Sequence, residues 1–377
     1  MKVHGVYAPE FEPVVDVFEA NFVERGDLGA SFCLVQDGVV KVDIWGGYLD
    51  RGRTEPWRED SIVNVYSTTK TMTAMSALLL ADRGELDFDA PVAHYWPEFA
   101  ANGKSEIKVS HVMSHTAGLS GLDEPTRPED LYDWHKITGL LAAQAPWWEP
   151  GSASGYHLLT QGYLIGEVVR RIDGRTLGTF FREEIAEPLG ADFHIGLPEE
   201  HDSRVGDLAP PPALPAEPAL NSESIAARTF ANPWAPATRS RTEAWRRAEI
   251  PAANGHGNAR SVARVQSVMA CGGEAFGKRL LSEAGCRRAL EEQINGTDLV
   301  LGIPLRHGLG YGLNNPALPL SPSENVAYWG GWGGSTILVD FDERLAFSYV
   351  MNRMEAGVVG DPRGGLLGRA VYQSLAL

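Results

Sequence analysis

Residues 67–84 read Ser-Thr-Thr-Lys-Thr-Met-Thr-Ala-Met-Ser-Ala-Leu-Leu-Leu-Ala-Asp-Arg-Gly. Their apolar spacing predicts a helix over 68–83, closed by Gly84 just past its end. Ser67 and Lys70 stand three apart at its start, which puts both side chains on one face. A serine hydroxyl is a weak nucleophile until a neighbour takes its proton. Burial against Met72, Met75 and Leu79 would lower the Lys70 pKa and make it that neighbour, and helix-start amides favour developing negative charge. Alone, the pattern reads equally well as an N-cap serine beside a surface lysine. A second copy, Ser105-Glu106-Ile107-Lys108, lies in a charged stretch without an apolar helix and reads as solvated surface.

Outward from this helix the two chain ends look alike. Residues 10–25 carry a helical apolar face. The strand-like runs Ala30–Gln36 and Val39–Trp45 follow, joined by the hairpin signal Asp37-Gly38. Near the other end, Ser335–Asp340 and Leu345–Met351 form a second hairpin, and 365–375 reads as a helix. Between them, 110–118, 155–172, 176–187, 259–272 and 282–293 carry helical spacing, and 198–258 is a long irregular stretch with the run Ala209–Pro215, expected to border a cleft. Strands at both ends with helices between predict an α+β fold, an antiparallel sheet flanked by terminal helices. Its halves would be 1–87 and 296–377, with a mainly helical domain inserted at 88–295.

Composition narrows the function. The 377 residues carry 33 Lys and Arg against 49 Asp and Glu, a net charge of −16, so no basic footprint is present to hold a nucleic acid. The strongest apolar run, near 72–81, is about half of what a bilayer needs, which speaks against a membrane partner. Cys33, Cys271 and Cys286 are too scattered for a disulfide framework, and the expected location is the cytoplasm. No Gly-x-Ser-x-Gly occurs, which argues against an α/β-hydrolase. His111 and His115 lack the rest of a zinc motif, and His115 is expected to pack. Asp87 with Asp89, and Glu183 with Glu184, read as solvated carboxylates.

Two further segments bear on chemistry. Tyr156 follows the loop Glu149-Pro150-Gly151 at an expected helix start, and its phenol could relay a proton if a nearby cation lowered its pKa. The run Tyr328-Trp329-Gly330-Gly331-Trp332-Gly333-Gly334-Ser335 enters a strand rather than a helix, which disfavours a phosphate loop. It suits an edge strand whose backbone approaches a substrate and offers an N–H to an oxyanion.

Ser67-x-x-Lys70, then Tyr156, then Trp329-Gly330-Gly331, in that order, resembles the serine β-lactamase-like superfamily, and most of all its family VIII carboxylesterases, relatives of class C β-lactamases. Similar supporting segments are Ser114–Leu119, Asn254-Gly255, Ala259-Arg260-Ser261, Arg279–Ser282 and Gly308–Gly312. The resemblance implies a catalytic set of Ser67, Lys70 and Tyr156, and oxyanion or substrate contacts at Trp329, Gly331 and Trp332, with no metal and no cofactor. Two departures steer the substrate. Trp329 stands where β-lactamases and penicillin-binding peptidases usually carry a cation for the substrate carboxylate, and Leu158 stands where class C enzymes often have an amide. Loss of a charge-assisted hydrogen bond costs a few kcal/mol of recognition. The expected substrate is a small neutral ester, with Trp147, Trp148, Trp329 and Trp332 lining an apolar pocket. A β-lactamase or D-alanyl-D-alanine peptidase, an acyltransferase of the same fold, and a catalytically retired binder are the alternatives. The sequence assigns neither Lys70 nor Tyr156 as the base, because they titrate as a pair.

Overall fold

The helix Thr69–Asp82 is buried on every side from Thr69 to Leu80, which is why its sequence is apolar or small all round. Its neighbours explain that burial. The computed structural model describes residues 2–212, 221–317 and 319–376. Nine strands form one antiparallel sheet: β1 (Val3–Tyr7), β2 (Gly29–Gln36), β3 (Val39–Gly47), β4 (Ile294–Thr297), β5 (Pro304–His307), β6 (Gly312–Leu313), β7 (Val326–Gly330), β8 (Thr336–Asp340) and β9 (Leu345–Met351). Their order is β1-β3-β2-β9-β8-β7-β6-β5-β4, so β2 from the first part of the chain pairs with β9 from the last.

Strand β2 is buried on both faces, with Phe32 and Leu34 in one core and Cys33 and Val35 in the other. That is why its sequence runs apolar without alternation. On the first face lie the terminal helices α1 (Glu12–Glu24) and α5 (Pro362–Ser374). On the second, α4 (Ala259–Ala270) packs across β2 and β9, and the larger core beyond it holds α2 (Thr69–Asp82) and α3 (Thr160–Asp173). Among the described residues, no helix is long and apolar enough to cross a membrane.

Several expectations need correction. The helix expected over 110–118 is only Val109–Met113, because His115 takes a left-handed φ of 62°. The one expected over 155–172 begins at Thr160, so Tyr156 sits in irregular chain before it. The one over 282–293 stops at Leu290. Within 198–258 lie the short helices Glu199–Arg204, Ile225–Ala231, Ala237–Arg241 and Glu243–Arg247, each too brief to leave a periodic signature. Residues 213–215 of the proline run lie outside the described residues. Strand β7 is not an edge strand, since β6 pairs with it at Tyr328 and Ala327; only Trp329 and Gly330 have no partner on that side.

A buried ion network joins α5 to the sheet. Arg363, at 2% exposure, donates through Nη1 to Asp27 Oδ1 at 2.6 Å, through Nε to Asp361 Oδ2 at 3.0 Å, and through Nη2 to the carbonyl of Gly333 at 2.7 Å. Tyr349 donates to Asp27 Oδ2 at 2.6 Å. Replacing Arg363 by Met strands two buried carboxylates and should cost about 3–5 kcal/mol in urea unfolding, whereas a loss under about 1 kcal/mol would show the network to be energetically idle.

Candidate active site

The chain reaches Ser67 from the short pair Val63–Asn64 with His256–Gly257. Tyr66, immediately before it, holds φ at +43°, a conformation costing an aromatic residue about 1–3 kcal/mol. Its surroundings enforce the strain. The Tyr66 ring lies 6.2 Å from Trp245 and 5.2 Å from Trp332, and its hydroxyl donates to the carbonyl of Ala237 at 3.2 Å. The hydroxyl of Thr69 donates to the Tyr66 carbonyl at 2.5 Å and accepts from the Gly255 amide at 2.9 Å. Ser67 is thereby turned onto the first turn leading into α2.

Lys70 is 2% exposed, and its Nζ lies 3.0 Å from Ser67 Oγ, 2.6 Å from the carbonyl of Leu158 and 2.9 Å from that of Ala252. Burial holds the amine well below its ordinary pKa. A neutral amine has two N–H bonds and one lone pair. Two carbonyls take the hydrogens, which leaves the lone pair for the Ser67 hydroxyl.

Tyr156 is fully buried, and Lys70 Nζ stands 4.8 Å from its ring centre. Burial pushes the phenol above its usual range, opposed by hydrogen bonds from Ser67 and Trp329. The expected lowering by a cation is not the outcome: burial of the phenol dominates, and burial also holds the neighbouring Lys70 amine well below its ordinary pKa. Lys70 therefore has the character of a base and Tyr156 that of a proton donor.

The third motif supplies the facing wall. A Cβ on Gly331 would fall 2.2 Å from the Val65 carbonyl, 2.3 Å from Ser335 Oγ and 3.2 Å from the Ser67 amide nitrogen, so only glycine allows this approach. Ser335 Oγ donates to the Val65 carbonyl at 2.8 Å and lies 2.9 Å from Thr68 Oγ1, tying β8 to the start of α2. Among the described residues, the amides of Ser67 and Trp332 donate to no protein acceptor. Both remain available to an oxyanion.

Trp329 is buried at 2% exposure and donates through Nε1 to the Tyr156 hydroxyl at 3.3 Å, so it stands behind the tyrosine. The four tryptophans do not share one wall. Trp147 donates to Asp123 at 2.8 Å under the Arg228 guanidinium, and Trp148 donates to the Ala153 carbonyl at 2.9 Å. Trp332 does line a cavity of about 440 Å³, with Pro210, Pro212, Trp234 and Pro236, so the 198–258 stretch borders the site. The second Ser-x-x-Lys copy is at the surface, where Lys108 pairs with Asp89 at 3.0 Å.

Sequence reasoning missed the surroundings of Tyr156. The rings of His115 and Trp329 lie 5.0 and 5.3 Å from it, with His307 5.2 Å from His115. Burial lowers His115 well below its ordinary value and brings His157 down to about 4, so both are neutral near pH 7. Among the described residues, no group of three or more His, Cys, Asp or Glu is placed to hold a metal ion.

The low Lys70 pKa can be read directly. In an NMR titration of lysine side chains, one signal, absent from Lys70→Met, should titrate below the rest. Titration of that signal with the bulk lysines would contradict a neutral amine.

Comparison with known proteins agrees with this geometry. The β-lactamase family model matches residues 16–369. Esterase/beta-lactamase LipL of Mycobacterium tuberculosis is 37% identical over 380 aligned residues, covering 97% of this chain and 87% of that protein. A crystal structure described as a family VIII carboxylesterase superposes with a TM-score of 0.94 at 41% identity, covering 99% of this chain and 100% of that one. A penicillin-binding protein homolog from Caulobacter crescentus gives the same TM-score, identity and coverage. With a family model across most of its length and relatives this similar end to end, the chain belongs to the β-lactamase family, in the serine β-lactamase-like branch that holds the family VIII carboxylesterases.

Proposed function

We propose that this enzyme is a serine carboxylesterase that hydrolyses small neutral esters through an acyl-enzyme on Ser67. The observation that carries the reading is the placement of Ser67 Oγ 3.0 Å from the amine of Lys70, which burial holds well below its ordinary pKa. Lys70 takes the Ser67 proton as Oγ bonds to the ester carbonyl carbon. The carbonyl oxygen gains the negative charge and meets the amides of Ser67 and Trp332. Losing one such donor typically costs about 10²–10³-fold in rate. As the bond to the alcohol breaks, Tyr156 gives its proton to the leaving oxygen and recovers one from the Lys70 ammonium. Water, deprotonated by the same pair, then cleaves the acyl-enzyme and releases the acid.

The neutral-substrate preference rests on the surroundings. Trp329 brings an indole where a substrate carboxylate would need a cation, and the cavity beside Trp332 is walled by prolines and Trp234. Leu158 contributes its carbonyl to Lys70 and carries no amide side chain. The relative described as an esterase/beta-lactamase favours a second reading, β-lactam hydrolysis at the same serine. A cytoplasmic location is part of the proposal and rests on three buried, free cysteines.

A fluorophosphonate probe should label Ser67 alone, and Ser67→Ala should abolish both labelling and hydrolysis of p-nitrophenyl acetate. Labelling at another residue would overturn the assignment, and faster turnover of a chromogenic cephalosporin than of the ester would favour the second reading. Lys70→Arg, which stays cationic, should lose about 10²–10⁴-fold at every pH. Wild-type activity should rise as pH climbs through the lowered Lys70 pKa.

A further inference from the structure

Tyr156 lies in irregular chain, four residues before α3, so no helix fixes its position. The segment 154–157 is instead held from two sides. On one side, the Gly155 amide donates to the His115 carbonyl at 2.9 Å and the His157 amide to His115 Nδ1 at 3.1 Å. On the other stands the loop between β4 and β5, which begins at Asp298. The Leu299 amide donates to the Ser154 carbonyl at 2.8 Å, and the Tyr156 amide donates to Asp298 Oδ1 at 3.1 Å.

Asp298 is 1% exposed, yet among the described residues no charged group forms a close salt bridge with it. Its Oδ1 also accepts from the amides of Val300 and Leu301, each at 2.9 Å. Among the described residues its Oδ2 has no hydrogen-bond partner, and neither has Nε2 of the equally buried His307, 3.8 Å away. Burial raises this carboxyl, but the nearby His307 ring and the Leu301 and Tyr156 amides outweigh that and bring it down to about 2. A buried carboxylate is costly to keep. This one turns its own loop and grips the backbone of the proposed proton donor with a single oxygen. Behind it, His307 packs against Trp329 with ring centres 5.6 Å apart, and Trp329 donates to the Tyr156 hydroxyl. The carboxylate thus borders both the backbone and the ring support of Tyr156.

We propose that Asp298 is a positioning residue: by accepting the Tyr156 amide at the mouth of the β4–β5 loop, it keeps the phenol aligned between Ser67 and the leaving oxygen. The inference rests on the esterase reading above. Its signature lies in the leaving group. An alkyl alcohol leaves poorly without a proton, whereas p-nitrophenol leaves readily, so a misaligned donor harms the two unequally.

The experiment compares Asp298→Ala and Asp298→Asn with wild type on ethyl and p-nitrophenyl esters of one acid, with rates counted per Ser67 labelled by a fluorophosphonate, so that a partly folded preparation still yields the ratio. Asp298→Ala should lose about 100-fold in kcat on the ethyl ester and less than about 10-fold on the p-nitrophenyl ester, with KM nearly unchanged. Asp298→Asn keeps a carbonyl oxygen for the amides and should stay within about fivefold of wild type on both. Equal losses on the two esters, a change confined to KM, or an Asn variant as impaired as Ala would each overturn the positioning role. If Asp298→Ala yields no labelled protein, the Asn variant and Asp298→Ser, too short to reach all three amides, decide between these outcomes. A wild type inert towards both esters would overturn the esterase reading itself, and this inference with it.

Discussion

A lysine buried at the head of a helix with no exposed face is the constraint around which this protein is arranged. The Lys70 amine gives up its proton more readily than a lysine in water because water is excluded, and water is excluded because α2 is enclosed by the larger core. Enclosure alone would leave the amine's hydrogens without partners. The carbonyls of Leu158 and Ala252, from chain segments far apart in sequence, are therefore brought to it, and each must arrive in a backbone conformation that frees the oxygen. The non-helical approach to α3 and the turn before Asn254 both follow from that requirement.

The replacement of a cation by Trp329 does more than remove charge. The indole N–H occupies a lone pair of the Tyr156 oxygen, which leaves the phenol's own proton free to point towards the reacting groups. A lysine there would favour a phenolate more strongly than the neutral indole does, and burial of the phenol outweighs the indole's hydrogen bond. The division of labour between Lys70 and Tyr156 is thus set first by burial.

Much of this was legible in the chain. The hairpins at both ends showed their turns and their β-branched runs, and the order of Ser67, Lys70, Tyr156 and the glycine-rich segment carried the family resemblance. What stayed hidden has common causes. Asp298 lies 142 residues from the amide it holds, and no local pattern announces a contact of that range. The left-handed turn at Tyr66 is imposed by Trp245, Trp332 and Thr69 against the preference of the residue itself. The direction of the Tyr156 shift is set by burial of the phenol, which is a property of the packed core. The short helices of 221–258 left no period to read, although Ser224 and Thr242 cap two of them.

The strand pair that joins the two ends of the chain sets Ala30 opposite Met351 and Gln36 opposite Leu345, more than 300 residues apart. During synthesis the nucleophile helix emerges long before the strand that closes the sheet over it, and the loop carrying the Trp332 amide emerges late as well. Loop closure of that length is slow, and meanwhile the apolar faces of β2 and α2 lie open. The reactive serine therefore acquires its oxyanion site only at the end of folding. A partly made chain is inert towards esters and prone to aggregate, so yield in any expression host will depend on how well that interval is protected.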